Sequence, residues 1–424
     1  MRGFDTVIGD GTNDNKRHLF IVAARADKIG VVISFLLSAG SRSLPDLMLL
    51  TLVLLAQAGG AFVLLRGSVA RGRKWVRSLI FAVGGVSGIV LIFGFLLMFA
   101  RVARYFQVWT ASWVRGSAMI WGMLTVLWMG SWLVWRALAG IVRPAHSAGR
   151  RGFLKVSGAA LFAAPAAAVG YGVFVERLNI RLREQKIIIP GLAADLDGLR
   201  IAQITDIHLG PFLNERELAH AVAMANETIP HLALVTGDMI SASRDPLDAC
   251  LKQLAGLHSD AGIFGCLGNH EIYANAEDYA TVQGARLGIR YLRSESVRLK
   301  FGGASMNLAG VDYQRFRTPY LTDAEKMIEP GAFNVLLSHN PDVFPVAVRQ
   351  GYDLTVAGHT HGGQVRVEIL REDLNVARFF TPYVDGLYRE REKAIFVSRG
   401  IGTIGLPARL GAPPEVALVR LCRS

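Results

Sequence analysis

The chain has 424 residues, more than one ordinary domain holds, which suggests two or three domains. Its 46 Lys+Arg and 34 Asp+Glu give a formal net charge of +12, but residues 1–175 hold 19 of the basic residues and only five acidic ones. The rest of the chain is nearly neutral, so its charge does not indicate nucleic-acid binding, and no nucleic-acid partner is expected. Three cysteines without a CxxC spacing exclude a disulfide framework or a zinc knuckle, and Cys266 is expected to be a buried thiol.

Four apolar stretches in the first part are long enough to cross a bilayer, whose core needs about 20 helical residues. They cover 44–65, 78–100, 116–135 and 156–175. Their interiors carry almost no ionisable residue, which favours an anchor over a transporter or channel with an attached domain. The sequence predicts an N-terminal segment over 1–43, an α-helical transmembrane bundle over 44–175 and a separate domain over 176–424.

The orientation follows from the Lys and Arg content of the short loops. Loops 66–77 and 136–155 each carry five basic residues, whereas loop 101–115 carries three. The two richer loops are predicted to be cytoplasmic, so the fourth span would deliver residue 176 onward to the other side. The expected location is the inner membrane of a cell, multi-pass, with the following domain on the periplasmic side.

The segment 150–155 reads RRGFLK and is followed by an uncharged, alanine-rich stretch. It resembles the RRxFLK core of twin-arginine export signals, which would make the twin-arginine export machinery a partner. The alternative is a positively charged flank of the fourth span that happens to contain two arginines. The motif follows three other spans, which departs from the usual N-terminal placement. Both interpretations place the domain after residue 176 outside the cytoplasm.

From residue 176 the pattern changes to short apolar runs that end in polar residues. Runs predicted as strands cover 199–205, 232–236, 262–267, 334–337 and 354–357, and a helical pattern covers 215–227. Short apolar strands that alternate with helices predict an α/β domain. Ligands of such domains collect beyond the strand ends.

Eight side chains that can bind metal or phosphate follow these strand ends. They are Asp206, His208, Asp238, Asn269, His270, His339, His359 and His361. A single Asp-x-His pair or a lone histidine is more often a satisfied loop residue than a ligand, so the repetition at five strand ends carries the prediction. A mixed Asp, Asn and His set without thiolate suits Mn, Fe or Zn rather than Ca²⁺.

The blocks DIH at 206–208, GD at 237–238, GNHE at 268–271, SH at 338–339 and GHTH at 358–361 resemble the motifs of calcineurin-like metallophosphoesterases. The resemblance covers roughly residues 195–424. The segment 398–415 resembles the membrane-tethered, twin-arginine-bearing bacterial branch of that family. It implies a calcineurin-like αββα sandwich with its site at the C-terminal strand ends and two divalent metal ions as cofactors.

Carried over by position, the resemblance also implies roles for the eight residues. One metal would be held by Asp206, His208, Asp238 and His361, and the second by Asp238, Asn269, His339 and His359. Asp238 would bridge the two ions, and His270 would be the catalytic histidine beside the phosphate. Ser241 departs from the many members that have a second Asp there, a position that is not a family ligand.

The sequence therefore predicts a membrane-anchored, metal-dependent phosphohydrolase. Among phosphohydrolases, a phosphodiesterase is the favoured prediction. Phosphodiester or phosphomonoester bonds would be cleaved by a hydroxide that bridges two metals. The expected partners are the membrane and a phosphate-ester substrate, lipid-linked or from the cell envelope. One alternative is a pyrophosphatase of lipid A synthesis that acts on UDP-diacylglucosamine at the cytoplasmic face. Another is a non-enzymatic, metal-stabilised binding module, which is disfavoured because no ligand or catalytic histidine is missing.

Overall fold

The computed structural model describes residues 43–67, 72–98, 102, 105–141, 148–315, 319–369 and 372–424. Apart from Ser43, the predicted N-terminal segment 1–43 lies outside these residues. The chain divides into two compact units, with the boundary between Gly88 and Ile89. In the first unit, the side-chain amide of Gln57 donates a 2.7 Å hydrogen bond to the backbone oxygen of Gly84, which joins its two helical segments.

Four long apolar helices precede the α/β part of the described chain. They are α1 (Ser43–Arg66), α2 (Lys74–Leu96), α3 (Val108–Ile141) and α4 (Ala148–Phe174). Each contains a segment that is long and apolar enough to cross a membrane. With 34 residues, α3 extends about 51 Å, well beyond a bilayer core of about 30 Å. Part of α3 can therefore contact the rest of the protein.

The RRGFLK segment lies at the start of α4, and the side chains of its two arginines are outside the described residues. Pro165 lies within α4, and the helix continues through it to Phe174. A proline inside a helix removes one backbone hydrogen bond, which a helix in a membrane tolerates when neighbouring groups compensate.

Fourteen strands follow in the described part of the chain. They are β1 (Arg181–Ile189), β2 (Arg200–Ile204), β3 (Leu232–Thr236), β4 (Ile263–Cys266), β5 (Ile289–Tyr291), β6 (Glu295–Phe301), β7 (Ala304–Gly310), β8 (Phe333–Leu337), β9 (Leu354–Ala357), β10 (Arg366–Ile369), β11 (Glu372–Asn375), β12 (Gly386–Glu390), β13 (Lys393–Val397) and β14 (Glu415–Arg423). Twelve of them form two six-stranded sheets, in the orders β1-β14-β2-β3-β4-β5 and β12-β13-β9-β8-β7-β6. The strands β10 and β11 form a separate antiparallel hairpin.

The two sheets pack face to face, and helices cover their outer faces. Side chains such as Leu234, Phe264, Val335 and Phe396 form one apolar cluster between the sheets. Helices α5 (Glu215–Glu227), α6 (Leu247–Leu254) and α8 (Glu277–Arg286) cover the first sheet. The short helix α7 (Asn269–Ala274) follows β4, and α9 (Phe344–Gln350) packs on the second sheet. The predicted αββα sandwich is confirmed.

The pattern of apolar residues in the sequence predicts the central strands and helix α5 well. The runs 232–236 and 354–357 and the helix 215–227 have the observed bounds, and the other predicted strands differ by one residue at their ends. Central strands that are buried on both faces are continuous apolar runs, which makes them visible in the sequence. Cys266, at the end of β4, is a buried free thiol as expected.

Candidate metal centre

The candidate residues lie shortly after the ends of β2, β3, β4, β8 and β9, and five of them have a left-handed backbone. The φ angles are +51° for Asp206, +49° for His208, +54° for Asp238, +78° for His359 and +53° for His361. This conformation costs free energy for any residue with a Cβ, although Asp and His adopt it more often than most. Such strained turns are typical of positions where side chains are directed toward a common ligand.

Two glycines let the carboxylates come close to neighbouring backbone. A Cβ added to Gly268 would overlap the carboxylate of Asp238, and one added to Gly358 would overlap that of Asp206. The backbone amide of His359 also donates to the Asp206 carboxylate at 3.0 Å. Glycine at these two positions is therefore required by the close approach of loop and ligand.

The first cluster consists of Asp206, His208 and His361, all buried. The Nε2 atoms of His208 and His361 lie 3.1 Å apart, and Nε2 of His361 lies 3.3 Å from Oδ1 of Asp206. The other ring nitrogen of His208, Nδ1, lies 3.0 Å from the Ser241 hydroxyl. The serine that departs from the family pattern thus orients a candidate ligand.

The second cluster consists of Asp238, His339 and His359. Nε2 of His339 lies 3.0 Å from Oδ2 of Asp238, and its Nδ1 donates to the backbone oxygen of Thr236 at 2.6 Å. The same Asp238 oxygen lies 3.6 Å from Nε2 of His208 in the first cluster. Asp238 therefore lies between the two clusters, where a bridging ligand would be.

The donor atoms fit divalent metal ions. Ligands at about 2.0–2.2 Å from an ion lie roughly 3.0–3.5 Å from one another, and the separations of 3.0, 3.1 and 3.3 Å fall in this range. Oδ1 of Asn269 is buried and makes no hydrogen bond. Buried polar atoms are normally paired, so this oxygen requires another partner. A metal ion would supply it.

His270 lies at the edge of both clusters. Its backbone amide donates to Oδ1 of Asp238 at 2.9 Å, and its Nδ1 lies 2.8 Å from the backbone oxygen of Ser241. Because a carbonyl oxygen only accepts, Nδ1 carries the hydrogen and Nε2 is left for other chemistry. The rings of His270 and His208 stand edge to face with centroids 4.8 Å apart. Through shared members, the groups of possible ligands connect seven of the eight predicted residues, and the eighth, Asn269, directly precedes His270.

Burial and the charges of neighbouring groups shift the pKa values of the Asp and His side chains in the centre, and not all in the same direction. Burial raises the pKa of Asp206 to about 6 and lowers those of His208 and His359 to about 3. For His339, burial lowers the pKa, but the charges of Asp238 and Asp206 outweigh it and raise the pKa to about 10. Neutral imidazoles at His208 and His359 are ready to bind a cation, whereas His339 holds a proton that a cation would replace.

Glu271 supports the turns that carry Asp238 and Asn269, a role that the sequence analysis did not assign. Its buried carboxylate accepts hydrogen bonds from the backbone amides of Asp238 at 2.9 Å, Met239 at 2.7 Å and Gly268 at 2.8 Å. In a sheet, a neighbouring strand would accept hydrogen bonds from such backbone amides. In these loops, the carboxylate of Glu271 accepts them instead. A glutamate directly after the GNH motif is the available signal, but two of its three backbone partners, Asp238 and Met239, are distant in sequence.

Arg409 is the second residue that the sequence analysis missed. Its fully buried guanidinium donates to the backbone oxygens of His361 at 3.0 Å, Arg399 at 2.9 Å and Ala412 at 3.2 Å. Burial lowers its pKa to about 10, and the charges of Asp206 and Glu415 oppose that shift. A buried cation held by carbonyl oxygens fixes the loop 399–412 against the His361 turn.

Two tyrosines border the centre and were also not predicted. The ring of Tyr313 lies 5.4 Å from that of His359, and the ring of Tyr273 lies 5.4 Å from that of His270. Burial raises the pKa of Tyr313 to about 12, so its hydroxyl stays protonated. Tyr273 is 60% exposed, which places it at the open side of the centre.

Helices α3 and α4 contact the loop that supports the centre. Val169 and Val173 of α4 pack with Ala408, and α3 adds Ile120 and Met123 to the same cluster. The backbone oxygen of Gly172 accepts a 3.1 Å hydrogen bond from the amide of Arg409. In this unit, the apolar helices therefore pack directly against the loop 399–412.

Fold and centre together define a metal-dependent phosphoesterase domain joined to apolar helices. Residues 199–363 match the family described as calcineurin-like phosphoesterase. A metallophosphoesterase of Aquifex aeolicus (strain VF5) is 31% identical over 232 residues, which cover 53% of this chain and 85% of that protein. The chain belongs to the calcineurin-like metallophosphoesterase family.

Two further relatives are similar to this chain, and one of them is described as a transmembrane protein. A protein of Bos taurus named "Transmembrane protein with metallophosphoesterase domain" is 31% identical over 242 residues, 53% of each chain. The metallophosphoesterase YkuE of Bacillus subtilis (strain 168) is 28% identical over 279 residues, 64% of this chain and 97% of that protein. The chain spans little more than half the length of the Bos taurus relative, so substrates and partners of the whole protein are proposals. Four membrane-capable helices and such relatives support membrane association.

Proposed function

We propose that this protein is a membrane-anchored phosphoesterase that uses two divalent metal ions at the described centre. The observation that carries the proposal is the position of Asp238, which lies within 3.6 Å of His208 in one cluster and 3.0 Å of His339 in the other. A shared carboxylate between two clusters is the arrangement that holds two ions close together. Mn, Fe or Zn suit the donor set.

Two ions bound there would supply an activated water and neutralise charge on the phosphoryl oxygens. The chain itself supplies the remaining groups. His270, held through Nδ1 by the Ser241 oxygen, presents Nε2 and can give a proton to the leaving oxygen or stabilise a phosphoryl oxygen. Tyr273 and Tyr313 provide apolar faces beside the centre for the ester group. The proposed reaction is hydrolysis of a phosphodiester or phosphomonoester. Of these two substrates, we favour the phosphodiester.

The proposed location of the catalytic domain is the periplasmic face of the inner membrane. The support is the distribution of basic residues, with five in each of the loops 66–77 and 136–155 and three in 101–115. An alkaline-phosphatase fusion after residue 180 should be active and one after residue 145 inactive. The reverse pattern would contradict this topology.

The activity is tested with the full chain in detergent, loaded with Mn²⁺, Zn²⁺ or Fe²⁺ and assayed with aryl phosphodiesters and phosphomonoesters. His270→Gln should lower turnover by about 10²–10⁴-fold without loss of bound metal, because a positioned acid contributes that much. The matched control is His220→Gln, an exposed histidine on α5 that belongs to neither cluster. Equal turnover of wild type and His270→Gln would refute the role of His270.

A second candidate is a pyrophosphatase that acts on a lipid-linked sugar diphosphate such as UDP-diacylglucosamine. The observation that favours a lipid-linked substrate is the contact of α3 and α4 with the loop 399–412 beside the centre. The same enzyme preparation assayed with UDP-diacylglucosamine in mixed micelles distinguishes the two. Faster cleavage of the diphosphate than of any aryl ester would favour the second candidate.

A further inference from the structure

The carboxylate of Asp245 holds the loop 241–245, which follows β3, through two backbone amides. Its Oδ2 accepts a hydrogen bond from the amide of Ser241 at 2.8 Å and another from that of Ala242 at 2.9 Å. The same carboxylate lies against Gly210, where an added Cβ would come within 3.3 Å of its Oδ1. The loops that follow β2 and β3 therefore meet at this one side chain.

Ser241, the first residue of this loop, contacts two histidines of the candidate centre. Its backbone oxygen accepts a hydrogen bond from Nδ1 of His270 at 2.8 Å, and its hydroxyl lies 3.0 Å from Nδ1 of His208. The hydrogen bond that one ring nitrogen of a histidine makes sets the protonation of the other nitrogen. The state and direction of Nε2 in His270 and His208 therefore depend on where Ser241 lies, and Asp245 fixes that position.

The membrane-capable helix α3 packs against the same two loops. The ring of Trp113 stands edge to face with that of Phe212, with centroids 5.2 Å apart, and a Cβ added to Gly116 would come within 3.2 Å of the Phe212 ring. The guanidinium of Arg244 donates a 2.9 Å hydrogen bond to the backbone oxygen of Phe106, which lies just before α3. The first turns of α3 thus face the loops that follow β2 and β3.

Arg115 lies between Trp113 and Gly116 in the sequence of α3 and carries the charge opposite to that of Asp245. Apart from Arg136 near the other end, it is the only ionisable residue of this helix. A charge in such an apolar segment is costly without a partner. Burial raises the pKa of Asp245, and the positive charge of Arg115 opposes that rise. Arg115 therefore favours the ionised carboxylate, which accepts stronger hydrogen bonds from the two loop amides.

We propose that Asp245 is a positioning residue for His270 and that Arg115 of α3 keeps its carboxylate in that role. The inference rests on the proposed function, in which His270 meets the leaving oxygen. The path from the helix to the ring runs from Arg115 to the carboxylate of Asp245, then through Ser241 to Nδ1 of His270. A helix that can cross a membrane thus contributes to the geometry of the centre.

The test observes the ring of His270 by nitrogen-15 NMR of the histidine-labelled full chain in detergent, both metal-free and loaded with Zn²⁺. The His270 signal is assigned by its loss in His270→Gln, and in the wild type the neutral ring should carry its hydrogen on Nδ1. Asp245→Ala removes the acceptor of both loop amides, so the ring should exchange between both tautomers. Asp245→Asn keeps an oxygen that can accept from both amides and should retain the wild-type signal. Asp248→Asn is the matched control, because this exposed carboxylate bonds only to the Tyr279 hydroxyl among the described residues.

Turnover separates positioning from general stability. Because a displaced catalytic group lowers the rate more than it lowers binding, Asp245→Ala should reduce kcat for an aryl phosphodiester by about 10–10²-fold with KM nearly unchanged. Arg115→Gln should reduce kcat by about two- to tenfold in the same direction. Arg136→Gln, the other arginine of α3, should match the wild type.

An unchanged His270 signal in Asp245→Ala would overturn the proposal, as would a wild-type kcat in that variant. Should the alanine variant not fold, Asp245→Ser takes its place, since serine suits a turn but its shorter side chain does not reach both amides. The NMR readout needs no turnover. A tautomer change in Asp245→Ala, together with no hydrolysis by the wild type, would support the positioning of His270 and contradict only the proposed activity.

Discussion

Arg409 donates a hydrogen bond from its guanidinium to the backbone oxygen of His361 at 3.0 Å, while its own amide donates to Gly172 of α4 at 3.1 Å. One residue thus connects a candidate metal ligand to a helix that can cross a membrane. Arg409 is buried, and both of these hydrogen bonds are accepted by backbone oxygens, of His361 and of Gly172. A shift of α4 against the α/β part would be transmitted to the turn of His361.

Replacing Arg409 with Lys should destabilise the protein and weaken metal binding. A lysine carries the charge but cannot direct several donors to the carbonyl oxygens of His361, Arg399 and Ala412. Buried acceptors left unpaired lower the free energy of unfolding by on the order of 3 kcal/mol. Thermal unfolding and metal titration measure both effects. Arg349→Lys, on the surface, should behave as wild type, and a similarly unaffected Arg409→Lys would contradict this role.

Gly172 and Gly170 of α4 provide a matched pair of substitutions. A Cβ at Gly172 would lie 2.7 Å from the backbone oxygen of Arg409, whereas a Cβ at Gly170 meets nothing within 4 Å. Gly172→Ala should lower the free energy of unfolding by roughly 1–3 kcal/mol through overpacking and should reduce turnover. Gly170→Ala should be neutral or stabilising, since alanine is the better helix former. Equal melting temperatures and turnover for the two variants would show that α4 does not pack on this loop.

Glu271→Gln should loosen the turns of Asp238 and Asn269. The glutamine keeps one accepting oxygen, and its amide nitrogen would face a backbone N–H that now lacks an acceptor. The free energy of unfolding should fall by about 1.5–3 kcal/mol, the range for a hydrogen bond to a charged group. Glu295→Gln, at an exposed ion pair, should change it by less than about 0.5 kcal/mol. Metal affinity should fall in the first variant only, as measured by titration.

Metal affinity should rise with pH between about 6 and 9. Without a bound ion, the pKa of His339 is about 10 and that of Asp206 about 6, so a cation must replace a proton on His339 throughout this range. One released proton gives roughly a tenfold gain in affinity per pH unit. The folded pKa of His339 lies above its unfolded value near 6.5. Its stabilisation of the metal-free protein is therefore fully present below pH 6.5 and is lost as pH rises toward 10. Titration at pH 7, 8 and 9 measures the affinity, and a pH-independent constant would contradict the protonated His339.

The sequence predicts the strands and the eight residues of the centre because both depend on local patterns. The buried strands are continuous apolar runs, and the candidate ligands follow them directly. Glu271 and Arg409 could not be predicted in the same way, since their partners are backbone atoms brought together only by the fold. The left-handed turns at Asp206 and Asp238 were likewise not visible, because both residues also adopt ordinary conformations.

The proposed activity requires the two-ion centre that Asp238 joins. Metal content of the purified full chain, measured by inductively coupled plasma mass spectrometry alongside hydrolysis of an aryl phosphodiester, tests it. The wild type should hold two divalent ions per chain, and Asp238→Ala should lose most of both ions and all measurable turnover. Asp323→Ala, an exposed aspartate on the same domain, should match the wild type. Two ions and wild-type turnover in Asp238→Ala would contradict a two-ion centre joined by Asp238.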